Sequence, residues 1–438
     1  MMNSYLLQGH IVTEDNVFYN HELAVQNGRI QSISPVPQTA PRGERPYILP
    51  GFRDQHVHDW IGQSLAQSGD EDSIVERFRQ SMQSFARHGV TGVYAATFGD
   101  SLETLERYCR AARRWMDHAG NDRLGAKLLG VNIEGTFINE TCRGAQPAEY
   151  CLIPTRQDCL QALHRFHETG AVKFINIVPD YGDASLEIIR RAAYLGLLVG
   201  AGHTAASADQ IRTAFEENGL KFMVHFTNGP TGQSFKPFGG GGAFEGGLNL
   251  PIYKELIVDG VHVDERYILD IIHQTKERWG MDKIIAVTDA LFPSPEEIPS
   301  EEFTLGSTVA QLHPHHRFLR AAAYLQPDGE RIPSPPNTLC SSIATMDQVF
   351  SNLVTLLTKS IRGHWYDHPE RPLDEALIQA ARLCATHQAE LDGAYPETGS
   401  IAVGKCADLV VGHLKNNDGL YEFQVQETVI DGNRIVLE

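Results

Sequence analysis

The chain has 438 residues, of which 42% are hydrophobic, and this composition is typical of a globular protein with a sizeable core. Its 37 basic and 55 acidic residues give a formal net charge of −18. Because this acidic chain has no basic cluster, we expect it to bind neither nucleic acid nor an anionic membrane, and a small-molecule ligand is favoured. No apolar run approaches the ~18 residues that cross a bilayer.

The amino terminus and the cysteines both favour a cytoplasmic protein. Residues 1–5 contain no basic segment followed by an apolar one, so the sequence predicts no export signal. The seven cysteines are scattered along the chain without a C-x-x-C pair. This dispersed, odd-numbered set is typical of reduced thiols rather than of a disulfide framework.

The two ends of the chain have the same strand-rich character. Residues 1–46 predict short strands at about 5–12, 22–25 and 29–33, with a hairpin turn at Asn27-Gly28. Residues 400–438 predict strands at about 407–411 and 422–430. We therefore expect both termini to form one small β-sandwich domain, residues 1–48 and 396–438, beside a catalytic domain of residues 49–395.

The middle of the chain alternates strand-like runs with helical segments. Apolar runs lie at about 47–57, 90–98, 126–135, 172–179, 196–202, 221–228, 254–263 and 283–289. Helical periodicity appears at about 71–88, 100–118, 155–169, 184–195, 207–218 and 264–279. Eight strands alternating with helices predict an α/β fold, a (β/α)8 TIM-type barrel. An open doubly wound sheet is the alternative, but its glycine-rich phosphate turn is missing after the first strand.

The remaining elements complete this barrel. Residues 305–338 predict a loop or a small hairpin, and two final helices are expected near 343–359 and 374–391.

The first barrel strand ends in two histidines one residue apart, His56 and His58. Residues i and i+2 of an extended strand point to the same face, so both imidazoles project into one space. Imidazole is a preferred ligand of zinc and similar divalent ions. The pair therefore predicts half of a metal site, the alternative being a chance pair of surface histidines.

Other predicted strands end in residues of the same kind. Glu134, His203, His225, His262 and Asp289 each lie at a strand end, and active sites of such barrels lie at the C-terminal ends of the strands. Buried acids and imidazoles need partners, since an unpaired charge in an apolar setting is costly. One shared metal site satisfies them together, whereas separate roles as core histidines and helix caps are the alternative.

The segments at the strand ends and near the carboxyl terminus resemble those of a known family. The segments PGFRDQHVH, NIEGTFI, GHTAA, HFTNG, DGVHV, VTDA and GSIAVGKCADLVV follow one another in the order found in the amidohydrolase superfamily. Within that superfamily they are most similar to the N-acetylglucosamine-6-phosphate deacetylases. The resemblance covers nearly the whole chain, and it implies the same barrel with a β domain made by both termini.

The resemblance implies a divalent metal site with an acid–base residue. The implied ligands are Glu134, His203 and His225 for one ion, His56 and His58 for a second, and Asp289 beside them. One or two ions are expected, zinc first, with iron and manganese as alternatives, because the same donors suit all three. A metal lowers the pKa of a bound water from near 16 to about 7. Asp289 is implied as general base towards that water and then as general acid towards the leaving amine.

The implied substrate is an N-acyl amino sugar, with N-acetylglucosamine 6-phosphate or a related N-acetylhexosamine as the expectation. The implied substrate contacts are His262, Asn228, Gly229, Gln146 and Lys236, and a homodimer is implied as well. Gln146 stands where the family has a histidine associated with polarising the substrate carbonyl, and glutamine carries no charge. Lys236 stands where an arginine commonly binds phosphate, and lysine lacks the bidentate fork. These changes leave the sugar, the acyl group and the phosphate open.

Two other functions remain as alternatives. One is another amidohydrolase activity, such as that of a cyclic amidase or an N-acyl amino acid deacylase. Cyclic amidases of this superfamily usually have a carboxylated lysine at the end of strand four, where this chain has Lys173 only at the start. The other is a non-catalytic barrel that binds a sugar or a metal. Such a protein has no use for Asp289 as a base beside the metal.

Overall fold

The structure is a computed structural model of the chain. It describes residues 4–36, 45–121, 123–154, 157–228, 241–280, 283–315, 318–326, 328–335 and 338–435. Two residues named in the sequence analysis, Gly229 and Lys236, lie outside these ranges.

The amino-terminal segment forms four strands: β1 Ser4–Val12, β2 Val17–Gln26, β3 Arg29–Pro35 and β4 Tyr47–Pro50. β1 pairs antiparallel with β2 and parallel with β4, and β2 pairs antiparallel with β3. Between β2 and β3, Asn27 and Gly28 have φ of 52° and 77°, the left-handed conformation that the predicted Asn-Gly hairpin requires. Ile11, Leu23 and Val25 are buried in an apolar cluster of this sheet.

Eight parallel strands follow in chain order: β5 Phe52–His58, β6 Val90–Ala96, β7 Lys127–Phe137, β8 Val172–Ile177, β9 Leu198–Ala201, β10 Leu220–Met223, β11 Tyr253–Ile257 and β12 Ile284–Val287. Every residue of β5, β6 and β12 is buried, as expected of strands that are covered on both faces. Asp289 N donates to His56 O at 2.8 Å and His58 N donates to Ala290 O at 2.8 Å, which joins the last strand to the first. The prediction of a parallel α/β barrel is confirmed.

Helices separate the barrel strands: α1 Trp60–Ser68 and α2 Glu71–Arg87 after β5, α3 Leu102–Met116 after β6, α4 Gln157–Glu168 after β7, α5 Asp183–Tyr194 after β8, α6 Ala208–Asn218 after β9, α7 Ala243–Leu248 after β10, and α8 Glu265–Trp279 after β11. The six predicted inter-strand helices are all present. α1 and α7 are additional, and with only nine and six residues they give little periodic signal.

An antiparallel sheet is inserted between β12 and the final helices. Its strands are β13 Phe303–Leu305, β14 Thr308–Leu312, β15 Leu319–Leu325, β16 Arg331–Pro333 and β17 Leu339–Ser341. The sequence predicts only a loop or a small hairpin here, so it underestimates the number of strands in this segment. Leu305 and Leu319 of the inserted sheet pack with Trp60 and Phe98, which follow β5 and β6. The insertion therefore lies against the C-terminal end of the barrel.

The carboxyl-terminal part returns to the amino-terminal sheet. It contains α9 Met346–Leu357, β18 Ile361–Arg362, β19 Asp367–His368, α10 Leu373–Ala381, a π-helical turn Arg382–Thr386, α11 His387–Asp392, β20 Leu409–Asn417, β21 Leu420–Ile430 and β22 Asn433–Ile435. One seven-stranded sheet has the order β22-β21-β20-β4-β1-β2-β3, so both termini share a sheet. The sandwich arrangement and the domain boundaries at 48 and 396 stay predictions.

None of the described helices is long and apolar enough to span a membrane. All seven cysteines lie within the described ranges, and none of them forms a disulfide. Burial raises the pKa of the Cys109 and Cys384 thiols, so both stay protonated at neutral pH.

A buried ion pair attaches α11 to the barrel. The Arg53 guanidinium contacts the Asp392 carboxylate, and Tyr94 OH donates to Asp392 Oδ2 at 2.6 Å. Both charged side chains are nearly inaccessible, at 4% and 2% exposure. Removal of either partner leaves a buried charge without compensation.

Replacing Asp392 with Ala is expected to lower the free energy of unfolding by roughly 3–5 kcal/mol, because Arg53 keeps its buried charge without a partner. Urea denaturation measures the change. The control is Glu397→Ala, which breaks the exposed ion pair with Arg29 and is expected to cost much less. Equal losses of unfolding free energy in the two variants would show that the buried pair stabilises the protein no more than the exposed pair does.

Candidate metal and catalytic site

The C-terminal ends of the barrel strands bring four histidines and two carboxylates together. His56 and His58 of β5 are buried, and their ring centroids lie 5.5 Å apart, as their i, i+2 spacing predicts. Glu134 of β7 is only 2% exposed and lies at the centre of the group. The sequence-predicted set therefore converges on one volume.

Glu134 faces histidines with both oxygens. Its Oε1 lies 2.8 Å from His225 Nε2, 3.2 Å from His203 Nε2 and 3.6 Å from His56 Nε2. Its Oε2 lies 3.8 Å from His58 Nε2. Burial raises the pKa of Glu134, but the His56 charge and the hydrogen bonds of His203 and His225 outweigh burial and hold that pKa well below its usual value.

Asp289 also contacts the histidine pair of β5. Its Oδ1 lies 3.3 Å from His58 Nε2 and 3.5 Å from His56 Nε2. Burial raises its pKa, but the hydrogen bond from His58 and the His56 charge lower it to about 2. The carboxylate is therefore ionised and able to accept a proton at neutral pH.

Three of these residues have left-handed backbone conformations. His203, His225 and Asp289 have φ of 53°, 25° and 49°, and each lies two residues beyond its strand, β9, β10 or β12. Non-glycine residues rarely adopt positive φ, and such strain clusters at functional sites. The turn at each strand end directs these side chains to Glu134 and the β5 histidines.

The histidines are oriented to present Nε2 to the shared volume. His58 Nδ1–H donates to Ala96 O at 3.1 Å, and His203 Nδ1–H donates to Cys142 O at 2.8 Å. Because a carbonyl only accepts, Nδ1 carries a proton in both rings. Each ring therefore presents Nε2 inward, where it donates to a carboxylate while it is protonated and offers its lone pair to a metal once it is not. His56 Nδ1 likewise lies 3.0 Å from Glu255 Oε2.

These residues fit a divalent metal. The ligand atoms of His56, His58 and Asp289 lie within 4.8 Å of one another, and so do those of His56, Glu134 and His225. His56 Nε2 is buried and has no hydrogen-bond partner among the described residues, which is costly unless its lone pair binds a cation. Imidazole nitrogen with carboxylate oxygen is a donor set for zinc, iron or manganese.

A cavity of about 350 Å³ opens from this group. His262, Asn228 and Gln146 line it, so three of the predicted substrate contacts border the cavity, whereas Gly229 and Lys236 lie outside the described residues. Phe98, Leu339 and Cys340 form an apolar part of the wall. The cavity thus combines polar and apolar walls beside the metal-ligand group.

His262 and Gln146 are held by different partners. His262 Nδ1 lies 2.6 Å from Asp259 Oδ2; burial lowers the pKa of His262, but Asp259 outweighs burial and the net pKa is raised. Gln146 Nε2 donates to Glu134 Oε2 at 2.8 Å, and Gly99 N donates to Gln146 Oε1 at 2.7 Å. Both ends of the Gln146 amide are thus engaged inside the protein, and its predicted contact with substrate stays a prediction.

Sequence reasoning missed Glu255 and the apolar wall residues. Glu255 lies within a predicted apolar strand, and a carboxylate there needs a buried partner, so that signal was present. Phe98, Leu339 and Cys340 are ordinary core-type residues with no sequence signal for a cavity.

The amidohydrolase family profile matches residues 47–435 of this chain. The chain belongs to the amidohydrolase family. The family is metal-dependent, and all of the candidate ligands lie within the matched range.

Curated relatives of this amidohydrolase are sugar-phosphate deacetylases. N-acetylgalactosamine-6-phosphate deacetylase of Escherichia coli O157:H7 is 25% identical over 93% of this chain and 95% of that protein. N-acetylglucosamine-6-phosphate deacetylase of Bacillus subtilis strain 168 is 24% identical over 92% of this chain and 91% of that protein.

Solved structures share the fold over the full length. N-acetylglucosamine-6-phosphate deacetylase from Pasteurella multocida has a TM-score of 0.74 at 21% identity and covers 99% of both chains. A mutant of the Mycobacterium smegmatis enzyme in complex with N-acetyl-D-glucosamine-6-phosphate also has a TM-score of 0.74, at 21% identity, and covers 99% of this chain and 100% of that one. At this identity the likeness establishes the fold.

Replacing Glu134 with Ala is expected to abolish metal retention, because one Glu134 oxygen lies within 3.6 Å of the imidazole nitrogens of three histidines. Inductively coupled plasma mass spectrometry of the purified protein measures the metal content. His262→Ala is the control, since His262 lines the same cavity outside both ligand groups, and its metal content should stay at the wild-type level. Full metal content in the Glu134 variant would rule out the site.

Proposed function

We propose that this amidohydrolase is a metal-dependent hydrolase that removes the acyl group, in the first place acetyl, from an N-acylated amino sugar. The observation that carries the proposal is the meeting of Glu134, His203 and His225 with the β5 histidine pair and Asp289 at one cavity. A single ion held by Glu134, His203 and His225 would not require an ionised aspartate beside it. Hydrolysis does require such a group, because a proton must move from water to the leaving amine.

The proposed ligands of one ion are Glu134 and the two histidines that contact its Oε1, His203 and His225. His56, His58 and Asp289 are able to hold a second ion. A bound divalent ion, zinc first with iron or manganese as alternatives, would lower the pKa of water and polarise the amide carbonyl. His56, His58 and His203 keep their Nε2 atoms directed inward through their Nδ1 contacts. The protein therefore supplies a pre-oriented donor set.

Asp289 is proposed to move the proton in both halves of the reaction. Its ionised carboxylate accepts a proton from water as the water oxygen adds to the amide carbon. The protonated Asp289 then donates that proton to the amide nitrogen, and the C–N bond breaks. Asp289 is then ionised again and ready for the next cycle. The acid product keeps the second water proton and passes it to the released amine, which leaves a carboxylate and an ammonium ion.

The substrate class rests on the relatives and on the polar wall. Deacetylases of two N-acetylhexosamine 6-phosphates match this chain at nearly the same identity, so an N-acetylhexosamine 6-phosphate is the first candidate. His262 and Asn228 are proposed to bind sugar hydroxyls, and Lys236 with the Gly229 backbone to bind the phosphate. An unphosphorylated or differently acylated amino sugar is the second candidate, because Lys236 and Gln146 depart from the family pattern.

Replacing Asp289 with Asn is expected to lower kcat by about 10²–10⁴-fold, because the amide side chain cannot accept the water proton. Steady-state release of free amine measures the loss. Metal content should be largely retained, since Glu134, His203 and His225 remain. If the variant keeps wild-type turnover, Asp289 is not the base.

A panel of N-acetylglucosamine 6-phosphate, N-acetylgalactosamine 6-phosphate, their unphosphorylated forms and N-acyl amino acids tests the substrate class with zinc, manganese and iron. Lys236→Ala is expected to raise KM for the phosphorylated sugars at least tenfold and to leave KM for the unphosphorylated ones unchanged, because only the phosphate is paired with the lysine charge. Turnover of an acyl amino acid with no activity on any sugar would overturn the sugar assignment. Sugar binding without turnover would favour a binding protein.

The same proposal includes the oligomeric state and the cellular location of the protein. We propose a cytoplasmic homodimer that acts on a small molecule, with no nucleic acid or membrane partner. The acidic net charge of −18 supports this partner choice. Light scattering of the purified protein measures the oligomeric state.

A further inference from the structure

We propose that Glu255 is a positioning residue that fixes two proposed metal ligands at once: the ring of His56 and the main chain at His225. Glu255 lies on β11 and is fully buried, at 0% exposure. It does not line the cavity, and it is not part of either ligand group. The inference rests on the proposed metal site but not on the identity of the substrate.

The Glu255 carboxylate accepts hydrogen bonds from three donors. Oε1 accepts from Gln55 Nε2 at 2.6 Å. Oε2 accepts from His56 Nδ1 at 3.0 Å and from His225 N at 3.0 Å. Two of the three donors belong to β5 and the third follows β10, so one side chain connects the strands that carry two ligands.

The contact with His56 determines what that ring offers to a metal. With Nδ1 donating to a carboxylate, the His56 ring keeps its Nδ1 proton when a metal displaces the other one, so Nε2 is the atom that offers its lone pair to the metal. That Nε2 is the buried atom that faces both Glu134 Oε1, at 3.6 Å, and Asp289 Oδ1, at 3.5 Å. A carboxylate partner also makes the ring a stronger donor to a cation.

The contact with His225 stabilises a strained turn. His225 has a φ of 25°, and its main-chain N–H is taken by Glu255 Oε2. The next amide, Phe226 N, donates to the main-chain O of the same Glu255 at 2.8 Å. Glu255 thus binds two consecutive N–H groups at the turn that directs the His225 ring to Glu134.

The carboxylate is better suited to this role than its amide analogue. A glutamine accepts at one end only, so it would meet donors with its NH2 group at the other end. The Gln55 amide has a buried Oε1 with no hydrogen-bond partner among the described residues, and reversal of that amide would satisfy a glutamine at position 255. Glu255→Gln therefore keeps the packing and removes the charge, whereas Glu255→Leu removes every acceptor.

The test measures zinc affinity directly, by titrating the zinc-loaded protein with a chromophoric chelator. Glu255→Gln is expected to bind zinc roughly 10-fold more weakly and Glu255→Leu roughly 100-fold more weakly, the range typical of residues that orient metal-ligating histidines. Asp270→Asn is the matched control. Asp270 is another fully buried carboxylate, which accepts hydrogen bonds from the main chain of His364 and Trp365 and from His368.

The control should lose thermal stability without losing zinc affinity, because its partners belong to the β18–β19 segment and not to the ligand group. Folding of each variant is monitored by its thermal midpoint. A folded Glu255→Gln protein with wild-type zinc affinity overturns the inference, and so does an equal loss of zinc affinity in Asp270→Asn. Wild-type protein that binds zinc but deacylates no sugar would contradict the proposed function and leave the role of Glu255 untouched.

Discussion

The placement of an ionised carboxylate deep in a barrel governs the rest of this structure. Glu134 is nearly inaccessible to solvent, and a buried charge is tolerated only when it is paired and hydrogen-bonded. Four imidazoles supply that pairing, and each must itself be held so that the correct nitrogen faces inward. The requirement for hydrogen-bond partners therefore extends from Glu134 to the histidines, and from the histidines to Glu255 and to carbonyls such as Ala96 O.

Parallel topology explains why side chains so far apart in sequence meet. All eight strands run in one direction, so their C-terminal ends lie at one end of the barrel. His203, His225 and Asp289 follow their strands by two residues and turn inward through positive φ values. The surrounding structure holds these strained turns in place. One of the hydrogen bonds that close the barrel, from Asp289 N to His56 O, joins two residues of the site itself.

The sequence predicted the strands, most helices and the candidate ligands, because each rests on a local rule: apolar runs, helical period, the i, i+2 rule and strand ends. What it missed depends on register between distant segments. Glu255 lies about 200 positions from its partners Gln55 and His56, and no local pattern relates them. Gln146 could be located on the loop after β7, but its pairing with Glu134 and Gly99 follows from how three strand-end segments pack. The inserted sheet was underestimated because its strands are short.

In the proposed function, reaction and substrate choice are carried by different parts of this amidohydrolase. The candidate ligands and Asp289 lie on strands or directly beyond them, whereas Asn228 and Gln146 lie on loops, which tolerate change more readily. Glucosamine and galactosamine differ only in the configuration at C4, while the amide to be cleaved is at C2 in both sugars. A strand-end apparatus that positions the amide therefore has no means to distinguish them. We therefore expect selection between such sugars to come from loop groups that reach the rest of the ring.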